Sequence, residues 1–308
     1  MHTDHLRLFS VIARHRSLSR AAAELDLGQA TVSDRLRQLE AEVGTPLFER
    51  QGRGVALTPA GEAFQAYAER ALDVLREGAE SARAASTGQR GSVTMAVTVT
   101  SGAYLFAPAL VAYQQSHPGV EVRVRSVHSS EAPGQILDGV AHLALISGAS
   151  LHPQIENLAS FRGQLLAAAG RQHPLAAQAV VGLADLARAQ VLVSFWGPAC
   201  QAFLDRVRAA VGEAEAGPWM ELSPVELVKG MLLAGTGVSV VPAIAVRREL
   251  EAGDLVALTV HDDTGRAVRL PDWEITLIRH KRRPPNAAAD ALAETLRRVL
   301  PTLPLTLD

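Results

Sequence analysis

The chain is poor in cysteine, aromatic rings and lysine, and each shortage narrows what it can be. Among 308 residues there is one cysteine, Cys200, so no disulfide can form within the chain. Ten histidines are scattered without ligand spacing, and the nearest pair, His2 and His5, sits at the terminus. No metal site and no cofactor are expected. Aromatics make up 4%, so the core must be built mainly from aliphatic side chains. A surplus of charge of one sign is also missing, with 30 Lys+Arg against 32 Asp+Glu and a net charge of −2. That excludes binding to nucleic acid by bulk positive charge, and leaves open binding by a few well-placed arginines. There is no signal-like apolar run in MHTDHLRLFS. Residues 91–120 lack Asp, Glu, Lys and Arg, but Val93-Thr94-Met95-Ala96-Val97-Thr98 alternates as a strand does, and Ser101-Gly102 breaks the run. The expected location is therefore the cytoplasm, with no membrane partner.

The hydrophobic fraction of 48% suits buried cores, and the length suits two or three domains. Over residues 1–57 three short helical patterns follow closely. Leu6, Phe9 and Ile12 mark the first. Ala21, Ala22 and Leu25 mark the second, with a serine of Ser17-Leu18-Ser19 as its N-cap. Val32, Leu36, Leu39 and Val43 mark the third, which begins near Gly28-Gln29. Two short helices joined by Asp26-Leu27-Gly28 describe a helix-turn-helix, whose second helix enters the DNA major groove. The outer face of that helix carries Gln29, Thr31, Ser33, Asp34, Arg35, Arg37 and Gln38, side chains able to bond base edges or phosphates. The same pattern also fits a solvated amphipathic helix. Residues 47–58 then read as strand, Gly-flanked turn and strand: a small wing with Arg53 at its tip.

Ser19-Arg20-Ala21-Ala22, Leu25, Gln29, Val32-Ser33, Leu36 to Glu40, Gly44, Leu47-Phe48, Arg50 and Leu57-Thr58-Pro59-Ala60-Gly61 together resemble the head of the LysR-type transcriptional regulators. Two positions depart from that pattern: Gly28 stands where the family usually has Ser, and Asp34 where it often has Arg. An acid at 34 can accept from cytosine or orient Arg35 or Arg37.

Thr58-Pro59 is a helix start, and Phe64, Ala68, Ala71, Leu72, Leu75, Ala79 and Ala82 make a narrow apolar stripe. The stripe needs a partner, either its own head or a second copy; the resemblance favours the second copy. Residues 86–91 read as a hinge, closing a linker over 58–90. From 91 to 308 strand and helix patterns alternate. The strands are expected at Val93 to Thr100, Val120 to Val127, His142 to Ile146, Val191 to Phe195, Val238 to Val241 and Trp273 to Arg279. The alternation implies parallel strands with covering helices. The resemblance implies a periplasmic-binding-protein-like effector domain, with one lobe at about 91–160 and 268–308 and the other at about 161–267. The Gly235-Thr236-Gly237-Val238 turn and Pro242 match a recurrent segment of it, whereas His142 replaces a usual Asp. The fold class expected is thus α/β overall: an all-α winged helix-turn-helix, a long linker helix and a two-lobed α/β domain.

Effectors of such folds bind between lobes, near strand C-termini and helix N-termini, where backbone N–H groups favour anions. That nominates Thr100, Ser101, Gly102, Ser129, Ser130 and Ser147 from the first lobe. From the second it nominates Phe195, Trp196, Cys200, Val225 and Glu226. The same Ser and Thr residues can instead be helix caps, and Trp196 can be core. Cys200 falls in the first turn of a helix, a place that activates thiols. Peroxide-sensing members of the family carry a reactive Cys in a similar region, but the second Cys is absent here.

The leading reading is a ligand-responsive, sequence-specific DNA-binding regulator and not an enzyme. Its partners would be double-stranded DNA, a small-molecule effector, RNA polymerase and further copies in a homodimer or homotetramer. A thiol-based sensor acting through Cys200, a binding protein with impaired DNA reading, and a thiol enzyme are the alternatives. The head itself has eight arginines and seven acids, so DNA reading must rest on placement.

Overall fold

The computed structural model describes residues 2–52, 54–87 and 91–307 (backbone only for 77 and 80–87). The chain divides into two compact units, Met1–Arg90 with Asp138–Val140, and Gly91–Leu137 with Ala141–Asp308.

The first unit contains α1 Thr3–His15, α2 Leu18–Glu24, α3 Gln29–Val43, β1 Phe48–Gln51, β2 Gly54–Leu57 and α4 Pro59–Thr87. Residues at three- and four-step spacing meet in its core. Leu8, Val11 and Ile12 of α1 join Ala21 and Ala22 of α2 and Val32 and Leu36 of α3. Ser17 caps α2, its side chain accepting from Arg20 N at 3.4 Å. Arg16, at φ 50°, turns the chain from α1 to α2, and its carbonyl accepts from Val55 N at 3.0 Å, which seats the wing. β1 and β2 pair antiparallel from Phe48↔Leu57 to Gln51↔Gly54, as the sequence predicts. Arg53 at the hairpin tip lies outside the described residues, as do Gly88, Gln89 and Arg90 of the expected hinge.

Thr58 starts α4: its Oγ1 accepts from Gly61 N at 3.0 Å and donates to Pro46 O at 2.8 Å. The first part of the apolar stripe serves the helix's own head. Phe64, Ala68, Ala71 and Leu72 pack against Leu6, Phe9, Leu39 and Leu47. Further along, Leu75 is 52% exposed and Ala79 is exposed. Both partners considered for this stripe thus remain relevant, each to a different stretch.

The second unit runs β3 Ser92–Val97, α5 Val99–Ser101, a π-turn Gly102–Phe106, α6 Ala107–Ser116, β4 Glu121–Ser126, α7 Ala132–Leu137, β5 Leu143–Ser147 and β6 Ile155–Gly170. It continues through β7 Val181–Gly182, α8 Leu183–Arg188, β8 Val191–Val193, α9 Pro198–Ala209, β9 Trp219–Glu221, α10 Val225–Leu233, β10 Val238–Pro242 and α11 Ala243–Glu251. It ends with β11 Leu255–Leu258, β12 Val260–His261, β13 Asp272–His280 and α12 Ala287–Val299. Among the described residues, nine strands form one sheet in the order β4-β3-β5-β13-β6-β10-β8-β9, with β11 also on β6.

Two expectations are corrected. The sheet is mixed: β3 pairs parallel with β4 and β5, but β13 runs antiparallel to β5 and β6, and β10 antiparallel to β6. The sixteen-residue β6 was not foreseen. Its first part pairs with β13 and its last part with β10 and β11, so one strand threads both halves of the sheet. Its alternation is masked because Leu165 to Ala169 are buried on both faces. The other correction is that β3 ends at Val97 rather than Thr100. Thr98 leaves the strand to cap the next helix, its Oγ1 accepting from Ser101 N at 3.1 Å. β13 does return to the first half of the sheet, as expected.

Candidate functional site

The outer face of α3 presents Gln29, Thr31, Asp34, Arg37 and Gln38 exposed, with Ser33 and Arg35 half-buried, while Val32, Leu36 and Leu39 fix the helix from beneath. All seven nominated side chains therefore lie on one helix and off its buried stripe. Gly28 caps α3 through its backbone, with no side-chain oxygen on the first N–H groups. Helix N-termini of this kind accept phosphate oxygens. Gln29 Oε1 accepts from Ser19 Oγ at 3.1 Å, which sets the amide's orientation from α2. Asp34 and Arg37 form an exposed ion pair one turn apart, so the acid that departs from the family pattern orients an arginine.

Glu40 is the residue of this face whose role spacing alone did not disclose. Its carboxylate accepts from Leu47 N at 2.7 Å and Phe48 N at 3.1 Å, tying the entry of the wing to α3. A charged acceptor on two backbone donors is a strong local restraint.

In the second unit the nominated residues separate into two groups. Ser129, Ser130, Ser147, Gly102, Phe195 and Glu226 keep at least partial exposure, Phe195 at 55%. Ser147 joins two of the nominated loops: its N–H donates to Ser129 Oγ at 2.7 Å, and its own Oγ accepts from Trp273 Nε1 at 3.0 Å. Thr100, Ser101 and Val225 have buried side chains, with Ser101 Oγ accepting from Thr98 Oγ1 at 3.0 Å. All three residues are shielded, backbone included, so they offer a ligand no surface in this state.

Trp196 is corrected from a cleft-facing ring to a core one. It is 6% exposed, its Nε1 donates to Val240 O at 2.8 Å, and it meets Trp273 edge-on at 5.6 Å. Trp273 stands on β13, 77 positions away, and no local signal couples the two. Beside the pair, Gly148 and Gly197 (φ 81° and 110°) bring β5 and α9 together: a Cβ on Gly197 would stand 3.9 Å from Gly148 N. Tyr104 of the π-turn makes a further link, its hydroxyl accepting from Lys229 Nζ of α10 at 3.3 Å. Lys229 also pairs with Glu249 of α11 at 2.6 Å.

Cys200 is 1% exposed, and burial pushes its thiol up to about 12. The helix N-terminus that activates thiols is outweighed by desolvation of the charged form. Its burial fits the alternative of a small core cysteine over that of a redox sensor, and takes Cys200 out of reach of an effector in this state. Among the described residues, no group of three or more His, Cys, Asp or Glu is placed to hold a metal ion. No described helix is long and apolar enough to cross a membrane.

Two family models match the chain. "Bacterial regulatory helix-turn-helix protein, lysR family" matches residues 3–62, and "LysR substrate binding domain" matches residues 86–301. The RuBisCO operon transcriptional regulator of Allochromatium vinosum is 35% identical over 286 residues, covering 92% of each chain. An uncharacterized HTH-type transcriptional regulator of Bacillus subtilis (strain 168), YusT, is 27% identical, covering 83% of each. The crystal structure of full-length CbnR complexed with its target DNA superposes with a TM-score of 0.71 at 25% identity, covering 97% of this chain and 99% of that one. The exposed polar face of α3, the wing that follows it in the chain and the separate α/β unit therefore have one explanation: the chain belongs to the LysR-type transcriptional regulators, ligand-responsive proteins that bind DNA through an N-terminal helix-turn-helix.

Proposed function

We propose that this regulator reads a DNA half-site with Gln29, Thr31, Ser33, Arg35, Arg37 and Gln38 of α3, with Asp34 holding Arg37 and Arg53 reaching a phosphate from the wing. The observation that carries this is the α3 face itself: seven polar side chains on one exposed surface, braced by Glu40 and by Ser19. CbnR, in complex with its target DNA, supports the reading by its likeness over nearly the whole chain.

The effector is a small anion taken between the two lobes, against Gly102, Ser129, Ser130 and Ser147 on one side and Phe195 and Glu226 on the other. The division of labour is 1–57 for DNA, 58–90 for the linker and 91–308 for the effector. The protein acts in the cytoplasm, as a homodimer or homotetramer that contacts RNA polymerase, and carries out no catalysis of its own. Tyr67, Val74 and Leu75 on α4, at 67%, 48% and 52% exposure, support self-pairing of the linker helix. A RuBisCO operon is the first target to examine, because the Allochromatium vinosum relative is named for one.

The test is anisotropy titration of the full chain on its own upstream DNA at several salt concentrations. Sequence-dependent, salt-sensitive binding is expected. Gln29→Ala should relax base preference, and Arg37→Ala should weaken binding by about tenfold. Asp34→Ala releases Arg37 for phosphate and should strengthen binding while steepening the salt slope by about 1. Binding indifferent to sequence and to all three changes would refute the assignment of α3.

A further inference from the structure

Opposite the cleft, the first half of the sheet ends in a second concavity that the regulator reading does not use. β5 begins there, β13 ends there and α12 starts there. The cavity holds about 210 Å³. Leu143 in its lining and Ser147 stand at opposite ends of β5, four residue steps or about 13 Å apart. Three cations line it, Arg279, Lys281 and Arg283, against one carboxylate, Asp290.

Arg279 and Lys281 differ in the partners they hold. Arg279 divides its guanidinium between Glu156 Oε2 at 2.8 Å and Asp290 Oδ1 at 3.2 Å, so its charge is committed to two carboxylates. Lys281 donates to a neutral acceptor, Pro153 O, at 2.7 Å, and has no carboxylate partner among the described residues. Arg283 donates to Ala141 O, which orients it along the same wall. Two imidazoles complete the lining. His280 Nδ1 accepts from Arg282 N at 3.0 Å and His142 Nδ1 from Thr94 N at 3.0 Å. An imidazole whose Nδ1 accepts offers its other nitrogen, Nε2, as the donor, and His280 is placed to do so. The lining thus sets the Lys281 ammonium and the His280 imidazole beside two guanidinium groups, three cations to one carboxylate, in a space large enough for a small polyanion.

We propose that this cavity is a second ligand site, distinct from the interlobe cleft, and that it takes a small multiply charged oxyanion of the phosphate type. Lys281 supplies the charge-assisted hydrogen bond to the anion, and His280 contributes a neutral Nε2–H donor. The site explains why one of only two lysines in the chain stands in the β13–α12 loop, beside Arg282 and Arg283. It also gives a role to His142, which departs from the family's usual Asp: an acid at that wall would repel the ligand.

The test uses the full-length chain with pyrophosphate and, separately, citrate, at constant ionic strength set by potassium chloride. Thermal unfolding and titration calorimetry are the readouts. Saturable binding of pyrophosphate in the micromolar to millimolar range is expected, with a melting temperature that rises with its concentration. Lys281→Met and His280→Gln should each weaken it at least about tenfold and fivefold respectively, with unchanged melting temperature in the absence of ligand. Ser129→Ala, in the cleft, should leave it unaltered. The proposal is overturned by any of three results: no saturation at millimolar pyrophosphate, affinity that survives the Lys281→Met/His280→Gln double change, or loss of binding in Ser129→Ala. Tighter binding of citrate than of pyrophosphate would overturn the phosphate assignment.

Discussion

Gly61 shows how much one missing side chain can decide. A Cβ at that position would stand 2.0 Å from Leu47 O, where helix α4 crosses the entry to the wing. Gly44 differs: its φ of 84° favours glycine, but a Cβ there would meet nothing within 4 Å. Gly44→Ala should therefore cost about 1 kcal/mol of left-handed strain. Gly61→Ala must instead move backbone against backbone, and should cost about 2–3 kcal/mol, as overpacking does. Thermal unfolding of the two variants checks the order, and DNA affinity should fall only for Gly61→Ala. Cys200 offers a second test. Its folded thiol ionises near 12, above the ordinary value, because it is buried. The unfolded chain loses this proton first, so the stabilisation is complete below about pH 9 and declines as pH rises toward 12. The stability difference between wild type and Cys200→Ala should shrink over that interval in denaturant titrations. At pH 8 a maleimide should label the native thiol far more slowly than the unfolded one; equal rates would contradict the burial argument.

At the scale of elements, the hinge of the head is the contact between α3 and the wing. Glu40 satisfies Leu47 N and Phe48 N. Removing it leaves two donors to find water, so Glu40→Ala should destabilise the head by about 1–3 kcal/mol. Glu40→Gln, which keeps an acceptor but loses the charge, should cost less. Amide hydrogen exchange at residues 47 and 48 would report the loss directly. The periodicity of α1 to α3 was readable because each helix has one buried stripe and one wet face, and the same held for Ser17 and Thr58 as caps. β6 was not readable. A strand buried on both faces shows no alternation, and Leu165-Leu166-Ala167-Ala168-Ala169 fits a helix equally well. The exposed face of α3 could be read for the same reason as its core. The surroundings of Ser147 are legible only in part: a sequence can place Ser147 at a strand end, but not reveal that Trp273 bonds to it from 126 positions away.

At the scale of the whole molecule, β4 and β9 are two of the edges of the nine-stranded sheet among the described residues, β11 being another, and apolar side chains stand exposed on β4, β9 and helices of the same unit. Val124 on β4 and Val111 on the neighbouring α6 are 45% and 61% exposed. Met220 on β9 and Leu227 and Leu233 on α10 are 39%, 48% and 46% exposed. Edges and apolar patches of this kind call for cover. Two arrangements can supply it. In one, each patch meets its own copy around a two-fold axis. In the other, the α6 patch of one chain meets the α10 patch of its partner, and the converse contact forms at the same time. The second buries both patches in one closed dimer, and so is the arrangement expected. Val111→Lys and Leu227→Glu distinguish the two. Each alone should weaken association in sedimentation velocity, because it places a charge in an apolar contact. Combined in one chain, the two changes set Lys against Glu twice per reciprocal dimer, so association should recover toward wild type. If each patch pairs with itself, the combined variant sets Lys against Lys and Glu against Glu, and must associate more weakly than either single change.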